Sequence, residues 1–489
     1  MARSTLVSTD IPARMDRLPW SRWHWTVVFA LGITWILDGL EVTIINAVSG
    51  VLQKPDTLHL STVGVSAAAS SYIAGAVVGS LIFGYLTDQL GRKKLFMVTL
   101  SVYTTFTVCT AFSWNEFSYV GFRFLTGLGI GGEYAAINSA IDELIPARRR
   151  GWTDLSINSS YWMGAILASG LSLVLLDPKF VPESIGWRLC FATGAVLALS
   201  VILVRRHVPE SPRWLLTHGR VDEAERIVRQ IESTVQRDIG KPLAELEGSK
   251  MTVDTSHRVS FRDVVNTMVR TYPRRSIVAL SLMVTQAFLY NAIFFTEALV
   301  LTTFFGVSSG NVGLYIFPFA LGNLLGPWIL GHLFDTIGRR RMIAGTYIIS
   351  GLLLVGTGIL FVNGMLNATT ITVAWSVIFF FASAGASSAY LTASETFPME
   401  LRAQAIAFVY SVGTLAGGAA APLIFGALIA THRPINVFYG YMVGAALMIA
   451  GGLVEWIWGI DAERKSLEEV AAPLSQSEGP MPRVSTATG

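Results

Sequence analysis

Five ionisable side chains stand inside long apolar stretches of this 489-residue chain: Asp38, Glu41, Arg123, Glu133 and Glu297. A charge at mid-bilayer costs roughly 2.5–3.5 kcal/mol on insertion scales, so residues kept there are functional by default. Burial and a neighbouring guanidinium pull a carboxylate's proton affinity in opposite directions, so small rearrangements can load or discharge a proton. Asp38 and Glu41, three apart, share a helix face. A second set of side chains could contact a small polar cargo. Gln286, Tyr290 and Glu297 share one helix face with Asn291 beside it, and Asn158, Tyr161, Trp162, Asn323, Tyr390 and Tyr410 add polar and aromatic groups at mid-depth. For each aromatic, helix packing or an interfacial belt is the competing reading. Four deep carboxylates against one arginine suit a cation or a proton-neutralised anion as well as a neutral polar molecule.

The elements that must position these groups are membrane spans. Hydrophobic residues make up 52% of the chain and charged residues 14%, against about a quarter charged in soluble domains. Twelve apolar stretches are each long enough to cross ~30 Å of hydrocarbon. They run over 24–49, 63–87, 95–113, 117–141, 152–176 and 187–206, then 276–304, 309–334, 342–362, 370–394, 403–430 and 435–458. The first is too long for a cleavable signal and carries Asp38 and Glu41 where a small-residue cleavage site would be. The resulting plan is a cytoplasmic arm (1–23), a six-span half (24–206), a cytoplasmic linker (207–274), a second six-span half (275–458) and a tail (459–489) whose residues 470–489 read as disordered. Within the linker, Val221, Ala224, Ile227, Val228 and Ile231 recur at helical spacing, an amphipathic helix lying on the cytoplasmic face.

Positive charge orients the chain. Of 36 Lys and Arg, 31 fall on the side that holds both termini; without the long linker the bias is still 17 to 4. Both termini are therefore expected in the cytoplasm. The net charge of +3 reports orientation and gives no case for nucleic acid. In this frame Asp38 lies about 18 Å and Arg123 about 9 Å below the outer surface, and Glu133 about 15 Å further in than Arg123, towards the cytoplasm. Glu297 comes near the outer end of its span, where it could face an aqueous vestibule.

An eleven-residue stretch, Gly84-Tyr-Leu-Thr-Asp88-Gln-Leu-Gly91-Arg92-Lys-Lys, returns as Gly331-His-Leu-Phe-Asp335-Thr-Ile-Gly338-Arg339-Arg-Arg. Repeated halves are the usual plan of a secondary transporter. Gly84 and Gly331 permit close helix approach, and Asp88 and Asp335 can accept from exposed amides at a helix N-terminus. Arg92 and Arg339, Glu143 and Glu395, and Arg150 and Arg402 supply opposite charges at one membrane level. No phosphate-cradling loop, nucleophile–base pair, metal cluster or cofactor motif appears. Gly127-x-Gly-x-Gly-Gly lies inside a span, where small residues serve packing. Cys109 and Cys190 carry no disulfide argument.

These paired loops resemble the signature of the major facilitator superfamily. Arg123-Phe-Leu-Thr-Gly127, Glu143-Leu-Ile-Pro-Ala-Arg-Arg-Arg150, Pro209-Glu210-Ser-Pro-Arg213-Trp-Leu, Ser394-Glu395-Thr-Phe-Pro-Met-Glu-Leu-Arg402 and Lys465-Ser-Leu-Glu-Glu469 resemble, in order, its sugar-porter type. That type includes metabolite–proton symporters and synaptic-vesicle-glycoprotein-like proteins. The resemblance implies an all-α fold of twelve transmembrane helices in two pseudo-symmetric halves and a cytoplasmic gate built from the loop residues, with Glu210 and Arg213. It also implies that Asp38 of span 1 couples protons by pairing with Arg123 of span 4. By position alone, Glu41 is a second proton site or a ligand for a positive group, and Glu133 a gating residue or a proton carrier. The Gln286 to Asn291 spacing is similar to the sugar porters' span-7 motif. That motif's first Gln is Thr285 here and its Gly is missing, which leaves a hexose open beside organic acids and cations.

The expectation is a proton-coupled symporter importing a small polar metabolite by alternating access, working as a monomer in the inner (plasma) membrane. The competing readings are a proton-independent facilitator or exporter, and a non-transporting sensor. An enzyme is not expected.

Overall fold

The computed structural model describes residues 6–48, 51–60, 62–205, 209–245, 251–254, 261–294, 296–307, 312–418, 421–472 and 474. The disordered stretch expected at 470–489 falls almost wholly outside them. Spans 1 to 4 are single helices, Arg22–Val48, Thr62–Leu90, Arg92–Ala111 and Glu116–Leu144. Span 5 is two pieces, Arg150–Ser159 and Tyr161–Leu175, and span 6 is Glu183–Arg205. Span 7 is Pro273–Ile293 followed by Glu297–Phe305. Spans 8, 9 and 10 are Val312–Thr336, Arg339–Val362 and Ala368–Glu395. Span 11 is Arg402–Gly413, a π-turn over Thr414–Gly418 and Ala421–Ala430; span 12 is Pro434–Trp458.

Eight of these helices are long and apolar enough to cross a bilayer on hydropathy alone. Three of the other four are helices whose sequence is diluted or interrupted for a reason. Span 4 carries Arg123 and Glu133, span 5 breaks in the polar run Asn158-Ser159-Ser160, and span 11 loosens at the small residues Ala416-Gly417-Gly418. Such breaks occur in membranes only where protein or a cavity satisfies the freed backbone groups.

Packing repeats between the halves. A Cβ on Gly127 or Gly131 of span 4 would fall 2.1 Å from Tyr72 O or 1.9 Å from Ala76 O of span 2. In the second half, a Cβ on Gly322 or Gly326 of span 8 would fall 2.5 Å from Ser376 O or 1.8 Å from Phe380 O of span 10. Backbone lies against backbone at equivalent seams, the close approach small residues permit in lipid.

Two strands qualify the all-α expectation. Leu6–Thr9 (β1) of the N-terminal arm pairs antiparallel with Met251–Asp254 (β2) of the linker, Leu6 opposite Asp254. Two polar-flanked segments outside the membrane can pair their backbone groups with each other, and alternation this short leaves no legible period. The linker also forms Pro212–Thr217 and the amphipathic Val221–Ile239, which buries Ala224, Val228, Ile231 and Val235. Against it the arm buries Ile11, Met15 and Leu18.

Candidate functional site

A cavity of about 240 Å³ opens between the halves. Span 1 contributes Trp35 and Asp38, span 2 Tyr72, span 4 Tyr134 and span 5 Asn158, Tyr161 and Trp162. From the second half come Gln286, Tyr290, Asn291 and Phe294 of span 7, Ser383, Ser387 and Tyr390 of span 10, and Tyr410 and Thr414 of span 11. The breaks in spans 5, 7 and 11 all border this space, so the irregular backbone is where the cargo would sit.

Among the described residues, Asp38 is the one acidic or basic side chain on the wall. Tyr72 Oη donates to its Oδ1 at 3.1 Å and Tyr134 Oη to its Oδ2 at 2.5 Å. Rings surround it: Trp35 stacks on Tyr134 at 4.9 Å, and Tyr134 meets Tyr410 at 4.7 Å. On the facing wall Trp162 packs against Tyr290, and Tyr290 Oη donates to Asn323 Oδ1 at 2.7 Å.

The Asp38–Arg123 pair expected from the sequence is not formed. Arg123 Nη1 donates to Glu41 Oε1 at 2.5 Å, and the guanidinium lies over Tyr72, 4.5 Å from its ring centre. Glu41 is one helical turn further along span 1 than Asp38, nearer the level of Arg123 on the antiparallel span 4, so the shorter reach wins. Asp38, Glu41 and Arg123 are all buried, 1%, 0% and 0% exposed.

Eight of the ten residues put forward as cargo contacts line the cavity: Asn158, Tyr161, Trp162, Gln286, Tyr290, Asn291, Tyr390 and Tyr410. Two do not. Asn323 lies behind Tyr290 and orients it. Glu297 begins the outer piece of span 7, buried and off the cavity wall, because the break at Ile293 redirects the helix face it shared with Gln286. That burial also removes it from any vestibule. Glu133 is buried and off the wall as well. Trp35, Tyr72, Tyr134, Ser383 and Ser387 were not foreseen. Trp35 could have been found, since it sits one turn from Asp38 on the same face.

The residues put forward as a gate converge at one end of the bundle, the end that also packs the arm and linker. Asp88 Oδ2 accepts from Gln404 N at 3.1 Å, at the start of span 11. Asp335 accepts from Gly151 N (3.1 Å) and Trp152 N (2.8 Å), at the start of span 5. Each repeat's aspartate thus caps a helix of the opposite half. Arg92 reaches Asp88 (3.1 Å) and Glu143 (3.0 Å); Arg339 reaches Asp335 (2.8 Å) and Glu395 (2.9 Å). Arg150 lies 3.6 Å from Glu395 and Arg402 3.6 Å from Glu143, both across the halves. Gly91 and Gly338, at φ of 97° and 118°, turn the chain into spans 3 and 9, whose first amides are met by Glu210 (3.0 Å) and Glu463 (3.2 Å). Gly84 faces Ala407 and Gly331 faces Trp152. Higher up, Ser80 and Ser411 hydrogen-bond between halves. The end of the bundle that carries these charged loops is closed.

Outside the membrane Arg213 joins three chain segments: Asp16 of the arm (3.2 Å), Glu468 of the tail (2.8 Å) and Glu143 O of span 4 (2.8 Å). Arg14 binds Glu232 (2.6 Å) and Glu225 (2.8 Å), and Arg17 shares Glu232 (2.6 Å). Burial pushes the Asp16 carboxyl up, with Arg213 and Arg150 only partly offsetting it. At Glu468 burial is outweighed by Arg213, which holds the carboxyl below its ordinary value.

The sugar (and other) transporter family model matches residues 23–473. The niacin transporter NiaP of Acinetobacter baylyi is 28% identical over 464 residues, covering 94% of this chain and 99% of that protein. The inner membrane metabolite transport protein YgcS of Escherichia coli is 25% identical, covering 94% and 96%. The major myo-inositol transporter IolT of Bacillus subtilis is 25% identical, covering 77% and 79%. Among solved structures, the proton:xylose symporter XylE bound to 6-bromo-6-deoxy-D-glucose superposes with a TM-score of 0.74 at 19% identity, over 92% of this chain and 98% of that one.

Proposed function

The chain belongs to the sugar (and other) transporter family of the major facilitator superfamily, and on that premise we propose that it is a proton-coupled importer of a small, ring-sized polar metabolite. That it is a multi-pass membrane transporter, and not an enzyme, follows from the family and the fold. The observation that carries the finer reading is Asp38: a lone carboxylate on the wall of the cavity, held by two tyrosine hydroxyls, one turn from the neutralised Glu41–Arg123 pair.

In this reading cargo enters a cavity facing the outside, with both termini in the cytoplasm. A proton on Asp38 removes the one charge from the wall and favours closure around the cargo. Opening inward breaks the gate, the cargo leaves, and the proton follows into the less acidic cytoplasm. A membrane potential of ~150 mV supplies about 3.5 kcal/mol per charge moved, enough for a few-hundredfold accumulation.

Cargo class follows from the wall. Nine aromatic side chains give flat faces for a ring, and the amides of Asn158, Gln286 and Asn291 give directional hydrogen bonds. Among the described residues no lysine or arginine lines the space, so an organic acid would enter with its charge met by a proton, whereas a sugar or polyol needs no such partner. The relatives named for niacin and myo-inositol span that range. Thermal stabilisation of the purified protein by a panel of sugars, polyols, organic acids and organic cations selects the cargo. Addition of that cargo to lightly buffered vesicles should then alkalinise the outer medium. Uptake without any alkalinisation would leave a facilitator in place of a symporter.

A further inference from the structure

The inner gate holds more acid than base. Six buried carboxylates, Asp88, Asp142, Glu143, Asp154, Asp335 and Glu395, share it with four buried guanidiniums, Arg92, Arg150, Arg339 and Arg402. Arg213 does not redress the balance, being taken by Asp16 and Glu468. Five of the six lie within 4.0 Å of a guanidinium. Among the described residues Asp154 does not.

Asp154 is fully buried in the inner piece of span 5. Its Oδ2 accepts from Asn158 Nδ2 at 3.1 Å, and its Oδ1 has no hydrogen-bond partner among the described residues. The charged groups facing it are Asp142 of span 4, Glu395 of span 10 and Arg339 of span 9. Asn158, one turn outward, lines the cavity and also reaches Asn138 Oδ1 at 3.5 Å. On the other side of Asp154 the same helix presents Gly151 N and Trp152 N to Asp335. One helix thus carries, in order, a cross-half cap, a carboxylate with no guanidinium within 4.0 Å among the described residues, and a cavity amide. Two surplus negative charges cannot be buried together without compensation, and protons are the compensation that needs no further ligand.

We propose that Asp154, with Asp142 beside it, is a proton-binding site of the inner gate, joined to the cavity through Asn158. The gate closes with a proton held there; opening to the cytoplasm hydrates both carboxylates and the proton leaves to water. Because the closed state binds the extra proton, acid favours closing and alkali favours opening. This linkage is separate from Asp38 and would operate in a facilitator as well as in a symporter.

The test reads conformation and not transport. Spin labels at positions 94 and 341, exposed on opposite halves, are placed in a background with Cys109 and Cys190 replaced by serine, and distances are measured in lipid nanodiscs across the neutral pH range. In the parent, the open-to-closed ratio should rise with pH by up to about tenfold per unit for one linked proton. D154N should flatten that slope, D142N should weaken it, and D154E, which restores a carboxyl, should retain it. D38N should also retain it; a slope lost in D38N and kept in D154N would assign the proton to the cavity and overturn the proposal. A parent with no slope overturns it without any variant, so misfolding of D154N cannot shelter it.

Discussion

Arg123 is bonded to Glu41 at 2.5 Å and not to Asp38. The two span-1 acids are thereby given different tasks. Glu41 neutralises a guanidinium that would otherwise be buried alone, and Asp38 is left facing the cavity with only tyrosine hydroxyls for partners.

D38N removes the titratable group and keeps the shape that Tyr72 and Tyr134 hold. It should abolish uphill accumulation while leaving cargo exchange across the membrane measurable in vesicles. Accumulation equal to that of the parent would sink the assignment.

E41Q leaves Arg123 buried without its counter-charge. Breaking one partner of a buried pair costs about 3–5 kcal/mol, so this variant should melt well below D38N. Replacing both partners, as E41Q with R123M, should recover much of the loss, because no charge is then stranded. Differential scanning fluorimetry on the three proteins gives the answer, and an E41Q melting point matching that of D38N would mean that the pair is not formed.

The two repeat glycines are not equivalent in the closed gate. A Cβ at Gly84 would sit 2.3 Å from Ala407 Cβ, whereas at Gly331 its nearest neighbour is Trp152 Cδ1 at 3.3 Å. G84A should therefore prop the cytoplasmic side open, and G331A should be absorbed by a few tenths of an ångström of movement. Labelling of a cytoplasmic-cavity cysteine from the inner side should rise several-fold in G84A alone. Equal labelling in the two variants would contradict the asymmetry.

The arm's attachment should depend on Glu232. Burial opposes its charge, but hydrogen bonds from Arg14 and Arg17 outweigh that and hold its carboxyl below the ordinary value of 4.5. A carboxyl lowered in the folded state contributes stability that is present above its unfolded value and lost as pH falls through its folded one. Hydrogen exchange of residues 11–17 should thus be slow at neutral pH, stay slow down to about pH 4.5, and quicken below it. E232Q should quicken it at neutral pH; unchanged protection in E232Q would remove Glu232 from the clasp.

Much of this was legible in the chain because the bilayer admits few solutions. Stretches such as 342–362 and 435–458 must be helices, and charges such as Asp38 and Arg123 must be placed for use. What the sequence concealed was partnership. Asp38 and Glu41 differ by one helical turn, and only the relative height of spans 1 and 4 decides which of them meets Arg123. Glu297 shares a helix face with Gln286 on paper, but the break after Ile293 turns it into the protein. Asp142 and Asp154 border charged, polar segments at the ends of apolar runs, where an acid looks like an ordinary loop residue. Their burial depends on the opposite half arriving.

The ribbon between Leu6–Thr9 and Met251–Asp254 also bears on how the molecule is made. Its first strand is translated before the six spans of the first half, and its partner leaves the ribosome only after them. Until then the ribbon cannot form, although the arm's Asp16 and Leu18 already have partners in Ala147 N and Arg148. The ribbon can thus close only once the first half's spans have been made, and it can do so before any span of the second half exists.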